Sequence, residues 1–145
     1  DLASRGQGQP FDEDFFAYCE DVDLGWRAQL AGYRCLYVPT AVVYHRLSAT
    51  GGGKIASFYT GRNSIYVLAK NYPASLFKKH WRRIIFAQLS IGWEALRAWR
   101  GEAARARLRG QLSALRNLRR MLDKRRAIQN NRAVSDQYLE SVLFS

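Results

Sequence analysis

The sequence predicts an α/β chain whose second part is mainly helical. Residues 33–45 are rich in β-forming side chains, whereas the residues on either side repeat apolar side chains at helical spacing. Charge divides the chain at about the same place. Residues 1–53 hold four Arg and seven acidic side chains, and residues 54–145 hold the other 19 basic and five acidic ones. We therefore predict two regions, an acidic one (1–53) and a strongly basic one (54–145), with different tasks.

Composition excludes a disordered chain, because 48% of the 145 residues are hydrophobic and 13% are aromatic. This length fits one domain or less. The chain starts with Asp and has no pattern of a signal peptide, so we expect a fragment that is truncated at its amino end.

The acidic region predicts a loop or short helix over 11–19, followed by a helix. Val22, Trp26 and Leu30 recur at four-residue spacing and form one apolar face. Asp23 and Arg27, also four apart, are expected to pair on the solvent side of that helix. The residues after it, interrupted by a proline, predict one broken strand or two short strands.

Four further helices are predicted in the basic region. The third of them carries a leucine stripe that we expect to be its packing face, surrounded by nine basic residues. The predicted ranges are 55–71, 75–100, 102–126 and 133–143, and the stripe consists of Leu108, Leu112, Leu115, Leu118 and Leu122.

The acidic run that starts the first helix is the candidate catalytic motif. Carboxylates at a helix start are favoured by the helix dipole, and on chemistry alone Glu20, Asp21 and Asp23 are slightly more often caps than catalysts. Two features favour a catalytic role. Repulsion between adjacent carboxylates favours proton uptake by one of them. His45 follows downstream, and carboxylate with imidazole is a reasonable divalent-metal set.

Two segments, Phe11 to His45 and Arg62 to Pro73, resemble the family 2 glycosyltransferases, especially the bacterial rhamnosyltransferase-like branch. The family pattern is FDE and FF, then ED-x-DL, then Arg, Gly, Pro and a terminal His. The matching residues are Phe11, Asp12, Glu13, Phe15, Phe16, Glu20, Asp21, Asp23, Leu24, Arg27, Gly32, Pro39 and His45.

This resemblance implies a GT-A nucleotide-diphospho-sugar transferase fold, of which residues 1–53 would be the carboxyl-terminal part. It implies transfer with inversion, with Asp21 as the general base. Glu20 would support and orient that carboxylate or touch the acceptor. His45 would be a ligand of Mg²⁺ or Mn²⁺ on the departing diphosphate.

The resemblance also implies the partners. The donor would be a nucleotide sugar and the acceptor a polysaccharide or lipid-linked glycan. Asp23, Arg27, Arg62 and Asn63 are the expected substrate-binding residues, although a plain surface role is equally compatible with Arg62. Because the family's nucleotide-binding strands precede this motif, we expect the chain by itself to be inactive.

Basic and aromatic residues beside the apolar run from Ile84 to Trp93 predict contact with an anionic membrane. The run is about half the length that a spanning helix needs, so we expect it to lie in the interface. A helix buried against its own domain is the alternative. This prediction places the protein in the cytoplasm, peripherally on the inner face of the plasma membrane. The expected membrane-facing residues are Lys78, Lys79, Trp81, Arg82, Arg83 and Trp93.

A non-enzymatic basic helical module that binds nucleic acid or an anionic membrane is the competing hypothesis. It accounts for the charge of the basic region but leaves residues 11–45 unexplained. Since no nucleic-acid-binding motif is present, nucleic acid is not an expected partner.

Overall fold

The structure is a computed structural model that describes residues 9–44 and 53–143. Within these ranges the regular elements are one 3₁₀ turn, Glu13–Phe15, and six α-helices. The helices are α1 (Glu20–Leu30), α2 (Lys54–Asn71), α3 (Ala74–Arg97), α4 (Glu102–Arg116), α5 (Leu118–Asn130) and α6 (Asp136–Leu143).

Helix α2 lies at the centre of the described part of the chain, against α4, α5, α1 and the 3₁₀ turn. One apolar cluster joins the 3₁₀ turn to α2, α4 and α5, and consists of Phe15, Tyr66, Val67, Ala114 and Met121. A second cluster joins the end of α1 to the start of α3 and to α6, and consists of Leu30, Tyr72, Leu76 and Leu139. The elements on both sides of the acidic motif, the 3₁₀ turn before it and the end of α1 after it, therefore pack in these two clusters.

Small residues allow α4 to approach α2 closely. Ala106, Gly110 and Ala114 recur every four residues along α4 and are all buried. A Cβ atom built on Gly110 would lie 2.1 Å from the carbonyl oxygen of Phe58 in α2. A Cβ atom on Gly61 of α2 would lie 2.6 Å from the carbonyl oxygen of Arg107. Neither position has space for a side chain.

The predicted leucine stripe is therefore not the face that packs. Leu112 and Leu115 are more than half exposed, because the alanine and glycine face of α4 is turned toward α2. The predicted helix over 102–126 is also two helices, α4 and α5, which meet at Asn117. The Asn117 side chain donates a hydrogen bond to the Ser113 carbonyl oxygen at 2.9 Å, which satisfies a group at the end of α4.

The α/β prediction is wrong, and with it the GT-A assignment, because residues 9–44 and 53–143 contain helices and no strand. The segment predicted as strand has irregular backbone over residues 33–44, and its apolar side chains are exposed, Leu36 and Tyr37 by 82% and 89%. A strand needs a neighbouring strand to pair its N–H and C=O groups, and the described residues offer none. β-forming composition without a partner does not make a sheet.

No helix in the described ranges combines the length and the apolar character needed to cross a bilayer.

The close contact of α2 and α4 predicts opposite effects for two Gly→Ala substitutions. Gly110→Ala should lower the free energy of unfolding by about 1–3 kcal/mol, because the new methyl group collides with backbone. Gly25→Ala in α1 should raise it by about 0.5–1 kcal/mol, because no atom lies within 4 Å of the new Cβ atom and Ala favours helix. Urea unfolding followed by circular dichroism measures both changes. Equal stability of the two variants would contradict the observed helix approach.

Candidate functional site

The loop before α1 is strained. Phe16, Tyr18 and Cys19 all have positive φ angles, of 60°, 67° and 65°, and none of them is glycine. Non-glycine residues rarely adopt such angles, and each costs on the order of 1–3 kcal/mol. The surrounding structure must therefore hold this loop in place.

Two adjacent residues of α2 hold the loop by its carbonyl groups. The Asn63 amide nitrogen lies 2.9 Å, 2.8 Å and 2.6 Å from the carbonyl oxygens of Phe15, Ala17 and Tyr18. The Arg62 guanidinium donates to the carbonyl oxygens of Asp14 (2.7 Å) and Phe15 (3.1 Å). Asn63 is fully buried, so these bonds are shielded from competing water.

A buried ammonium ties the two ends of this loop together. Lys70 of α2 is 2% exposed, and its Nζ atom lies 2.6 Å from Asp12 Oδ2 and 2.8 Å from Asp23 Oδ2. Asp12 caps the 3₁₀ turn and Asp23 lies in the first turn of α1. Lys70 also lies over the Phe15 ring, 5.2 Å from its centroid. One cation thus fixes the residues on both sides of the strained loop.

The carboxylate of Asp23 is completely buried and has a partner on each oxygen. Oδ2 accepts from Arg27 Nε at 2.9 Å as well as from Lys70, and Oδ1 accepts from the Asn71 amide at 2.8 Å. Arg27 also donates to the carbonyl oxygen of Pro10. The predicted pairing of Asp23 with Arg27 is confirmed, but its predicted position on the solvent side is wrong, because the same carboxylate neutralises Lys70.

Helix α5 supplies the remaining cations. Lys124 lies 2.6 Å from Asp12 Oδ1 and 2.5 Å from Asp14 Oδ2, and Arg120 lies 2.7 Å from Asp14 Oδ1. Burial alone would raise the pKa of Asp12, but hydrogen bonds from Lys124 and Lys70 outweigh it and lower that pKa to about 2. Asp12 is therefore ionised throughout the physiological range. Part of the basic charge serves to neutralise the loop that precedes α1.

Glu20 and Asp21 differ from these supporting residues. Asp21 is exposed, and its Oδ1 atom accepts from the Val22 backbone N–H at 2.8 Å. The Oε2 atom of Glu20 is buried and accepts no hydrogen bond within the part of the chain that the structure describes. A buried acceptor without a donor is uncommon and calls for an explanation, such as a bound hydroxyl group. The first turn of α1 thus presents one solvent-facing carboxylate beside one with unused accepting capacity.

The expected substrate-binding residues all belong to the support of the loop. Asp23, Arg27, Arg62 and Asn63 contact protein groups, which gives them positioning roles. Direct contact of these four with substrate stays a prediction.

Sequence reasoning missed the cations that hold the acids, notably Lys70. A signal for it exists, because Lys70 follows Asn63 by seven residues and so lies on the buried face of α2. A charged residue on an apolar stripe indicates a buried ion pair.

Residues 9–44 and 53–143 do not contain a complete set of metal ligands. No three His, Cys, Asp or Glu side chains in these ranges lie close enough together to hold an ion. Asp12 and Asp23 are occupied by cationic side chains. His45, the expected ligand, lies outside the described residues, and its role stays a prediction.

Helix α3 exposes several large apolar side chains. Trp81 and Trp93 are 50% and 62% exposed, and the basic residues expected beside them, Lys78, Lys79, Arg82 and Arg83, are exposed too. Lys79 also pairs with Glu140 of α6 at 2.6 Å. An apolar cleft of about 930 Å³ opens between α3 and α4, and its lining includes Leu89, Trp93, Leu96, Leu108, Leu112 and Leu115.

Comparison with known proteins finds a partial relative. The chain is 41% identical over 63 residues to an N-acetylglucosaminyl-diphospho-decaprenol L-rhamnosyltransferase of Mycobacterium tuberculosis, in both the CDC 1551/Oshkosh and the H37Rv strains. The match supports a relationship to glycosyltransferases. It covers 43% of this chain but only 20% of the length of those relatives. No family profile matches the chain, and no solved structure matches it.

The lowered pKa of Asp12 predicts a loss of stability in acid. Its pKa of about 2 in the folded state lies below the ordinary 3.8, so the ionised carboxylate stabilises the fold at neutral pH. This contribution, up to about 2 kcal/mol, should disappear as the pH falls from about 4 toward 2. Asp12→Asn should unfold more easily at pH 7 and show a smaller loss over that interval. Urea midpoints measured across this pH range test the prediction.

The matched control is Asp123→Asn in α5, because Asp123 is exposed and its partner at 3.5 Å, Arg126, is more exposed still. Its removal should leave the acid dependence almost unchanged. If Asp12→Asn still lost stability steeply as the pH fell, the acid dependence would belong to other carboxylates.

Proposed function

We propose that this chain is part of an inverting glycosyltransferase, which transfers a sugar from a nucleotide-diphospho-sugar to a hydroxyl group of a polysaccharide or lipid-linked glycan. The observation that carries the proposal is the first turn of α1. There Asp21 faces solvent next to Glu20, whose Oε2 atom is buried without a hydrogen-bond donor. Buried ion pairs hold the loop that leads into this turn. The partial relative, a rhamnosyltransferase, supports the same chemistry.

The proposed reaction is a single displacement. The acceptor hydroxyl attacks the anomeric carbon of the donor sugar while its proton passes to the Asp21 carboxylate. The bond from the anomeric carbon to the diphosphate oxygen breaks, and its electron pair leaves with the nucleoside diphosphate. Attack opposite the leaving group inverts the anomeric centre. Glu20 would support the Asp21 carboxylate or help to orient the acceptor.

Rigid support suits this role, because a misplacement of about 1 Å can cost on the order of 100-fold in rate. The Lys70, Asp12 and Asp23 contacts set where α1 begins, and the Asn63 contacts set the direction from which the chain enters it. A base on a mobile surface helix would lack this precision. We further propose that the donor is bound by residues outside this chain, so that the chain alone does not transfer sugar.

We also propose that α3 attaches the protein to an anionic membrane surface, at the cytoplasmic face where a lipid-linked acceptor is accessible. Exposed Trp81 and Trp93 with neighbouring Lys78 and Arg82 provide apolar contact and positive charge together. Each basic residue close to an anionic leaflet contributes on the order of 1 kcal/mol. Attachment of this kind is reversible and sensitive to salt.

Asp21→Asn tests the catalytic proposal in the complete protein that contains this chain. The substitution preserves shape and removes the base, so sugar transfer should fall about 10²- to 10⁴-fold with unchanged melting temperature. Glu20→Gln should have a smaller effect, because it keeps one accepting oxygen. Asp123→Asn is the control and should remain fully active. Near-normal transfer by folded Asp21→Asn would rule out Asp21 as the base.

Vesicle flotation tests the membrane proposal. The protein should float with vesicles that contain anionic lipid at low salt, and less with neutral vesicles or at high salt. The double variant Trp81→Ala, Trp93→Ala should float less. Tyr37→Ala, which removes a still more exposed aromatic ring outside α3, should behave like the wild type. Absence of flotation with every vesicle would exclude membrane attachment through this chain.

A further inference from the structure

Phe16 lies at the centre of a strained γ-turn. Its φ and ψ angles are 60° and −63°, and the Ala17 N–H donates to the Phe15 carbonyl oxygen at 2.7 Å. A γ-turn with positive φ is rare for a residue with a side chain, because the Cβ atom crowds the backbone. Glycine would adopt these angles without that strain.

Because of this turn, the adjacent residues Phe15 and Phe16 lie in different environments. Phe15 is fully buried and contacts Tyr66 edge-on, with ring centroids 6.0 Å apart. Phe16 is 74% exposed and rests against Tyr59 of α2, with centroids 5.1 Å apart and an angle of 31° between the rings. Burial of Phe16 therefore does not account for the strain.

The same α2 residues that hold the loop also support the Phe16 ring. Asn63 and Arg62 bind the carbonyl groups next to Phe16, and the Arg62 guanidinium lies 4.7 Å from the centroid of the Tyr59 ring beneath it. The outer part of the Phe16 ring stays open to solvent. Apart from its contact with Tyr59, the exposed ring has little buried surface to offset the strain of the turn, and strain of this kind is found at ligand-binding positions.

We propose that the open face of Phe16 is the acceptor-sugar subsite. The face of an aromatic ring is electron-rich and attracts the weakly positive C–H groups on the flat face of a pyranose ring. Phe16 lies on the loop that leads into α1 and precedes Glu20 and Asp21 by four and five residues, so a sugar stacked on it would bring a hydroxyl toward the base. This inference rests on the proposed function and adds the residue that selects the acceptor.

Charge favours the acceptor over the donor at this ring. Glu13, Glu20 and Asp21 are acidic and lie in the same short segment, so they repel a diphosphate. Arg62, the guanidinium beside the ring stack, is already bonded to backbone carbonyls. A neutral sugar face fits these surroundings and a nucleoside diphosphate does not.

Two substitutions in the complete protein distinguish the effect of the Phe16 ring from the effect of its strained backbone. Phe16→Ala and Phe16→Gly both remove the ring, so both should raise the KM for the acceptor at least about tenfold, a loss of one modest contact. The KM for the donor should not change. Only Phe16→Gly relieves the γ-turn, so it alone should raise the melting temperature. Phe16→Tyr keeps ring and strain and should retain the wild-type KM, as should Phe11→Ala, which removes another exposed phenylalanine.

Each contrary result has a distinct meaning. An unchanged acceptor KM in both Phe16 variants, with Asp21→Asn inactive, would refute the subsite and leave the proposed function standing. A lower melting temperature of Phe16→Gly would show that the contact with Tyr59 outweighs the strain, so that packing accounts for the turn. A raised donor KM would show that the ring binds donor. Both results overturn the inference. Full activity of Asp21→Asn would remove the proposed function and the subsite together.

Discussion

The Lys70 ammonium, enclosed between two aspartates, is the interaction on which the rest of the candidate site depends. Placing a cation and two carboxylates inside a protein costs several kcal/mol of lost hydration for each ion, and only close pairing offsets that cost. Lys70 meets the requirement by contacting Asp12 and Asp23 at hydrogen-bond distance. Loss of any one of the three would remove a close ion pair from a place that water does not reach.

The value of this arrangement is geometric rather than energetic. A well-packed apolar cluster would stabilise the fold equally well, but it would not fix two chain positions by direction and distance. Asp12 and Asp23 bracket the loop with three positive φ angles, and they hold its ends while Asn63 holds its middle. The loop thus enters α1 along one path, which decides where Asp21 points.

The basic region has several physical roles. Some of its cations, such as Lys124, lie against the acidic loop and neutralise it. Others lie on α3 beside exposed tryptophans, where they are available to an anionic surface. Net charge alone does not separate these uses, because the same side chain can serve as an internal counter-ion or as an external contact. The face of the helix on which a basic residue lies decides which of the two roles it has.

The sequence by itself determined most helices and the candidate base. Apolar spacing gave α1, α2, α3 and α6 with bounds close to those observed, since helix formation depends on contacts between residues three and four apart. The ordered motif singled out Glu20 and Asp21, because the order of residues along a chain is a property of sequence alone. Strand prediction failed over residues 33–44, because pairing depends on a neighbour that local composition does not reveal.

Only the tertiary structure decided which residues support the site and which surfaces remain open. The alanine and glycine face of α4, and not its leucines, packs against α2, because close helix approach depends on the partner backbone at Phe58. Asp23 was expected at the surface and lies buried, because Lys70, 47 residues later in the chain, faces it. The spacing of residues in α2 places Lys70 on a buried face, but it does not reveal which acidic residues Lys70 contacts. This pairing nevertheless determines how the acidic motif is presented.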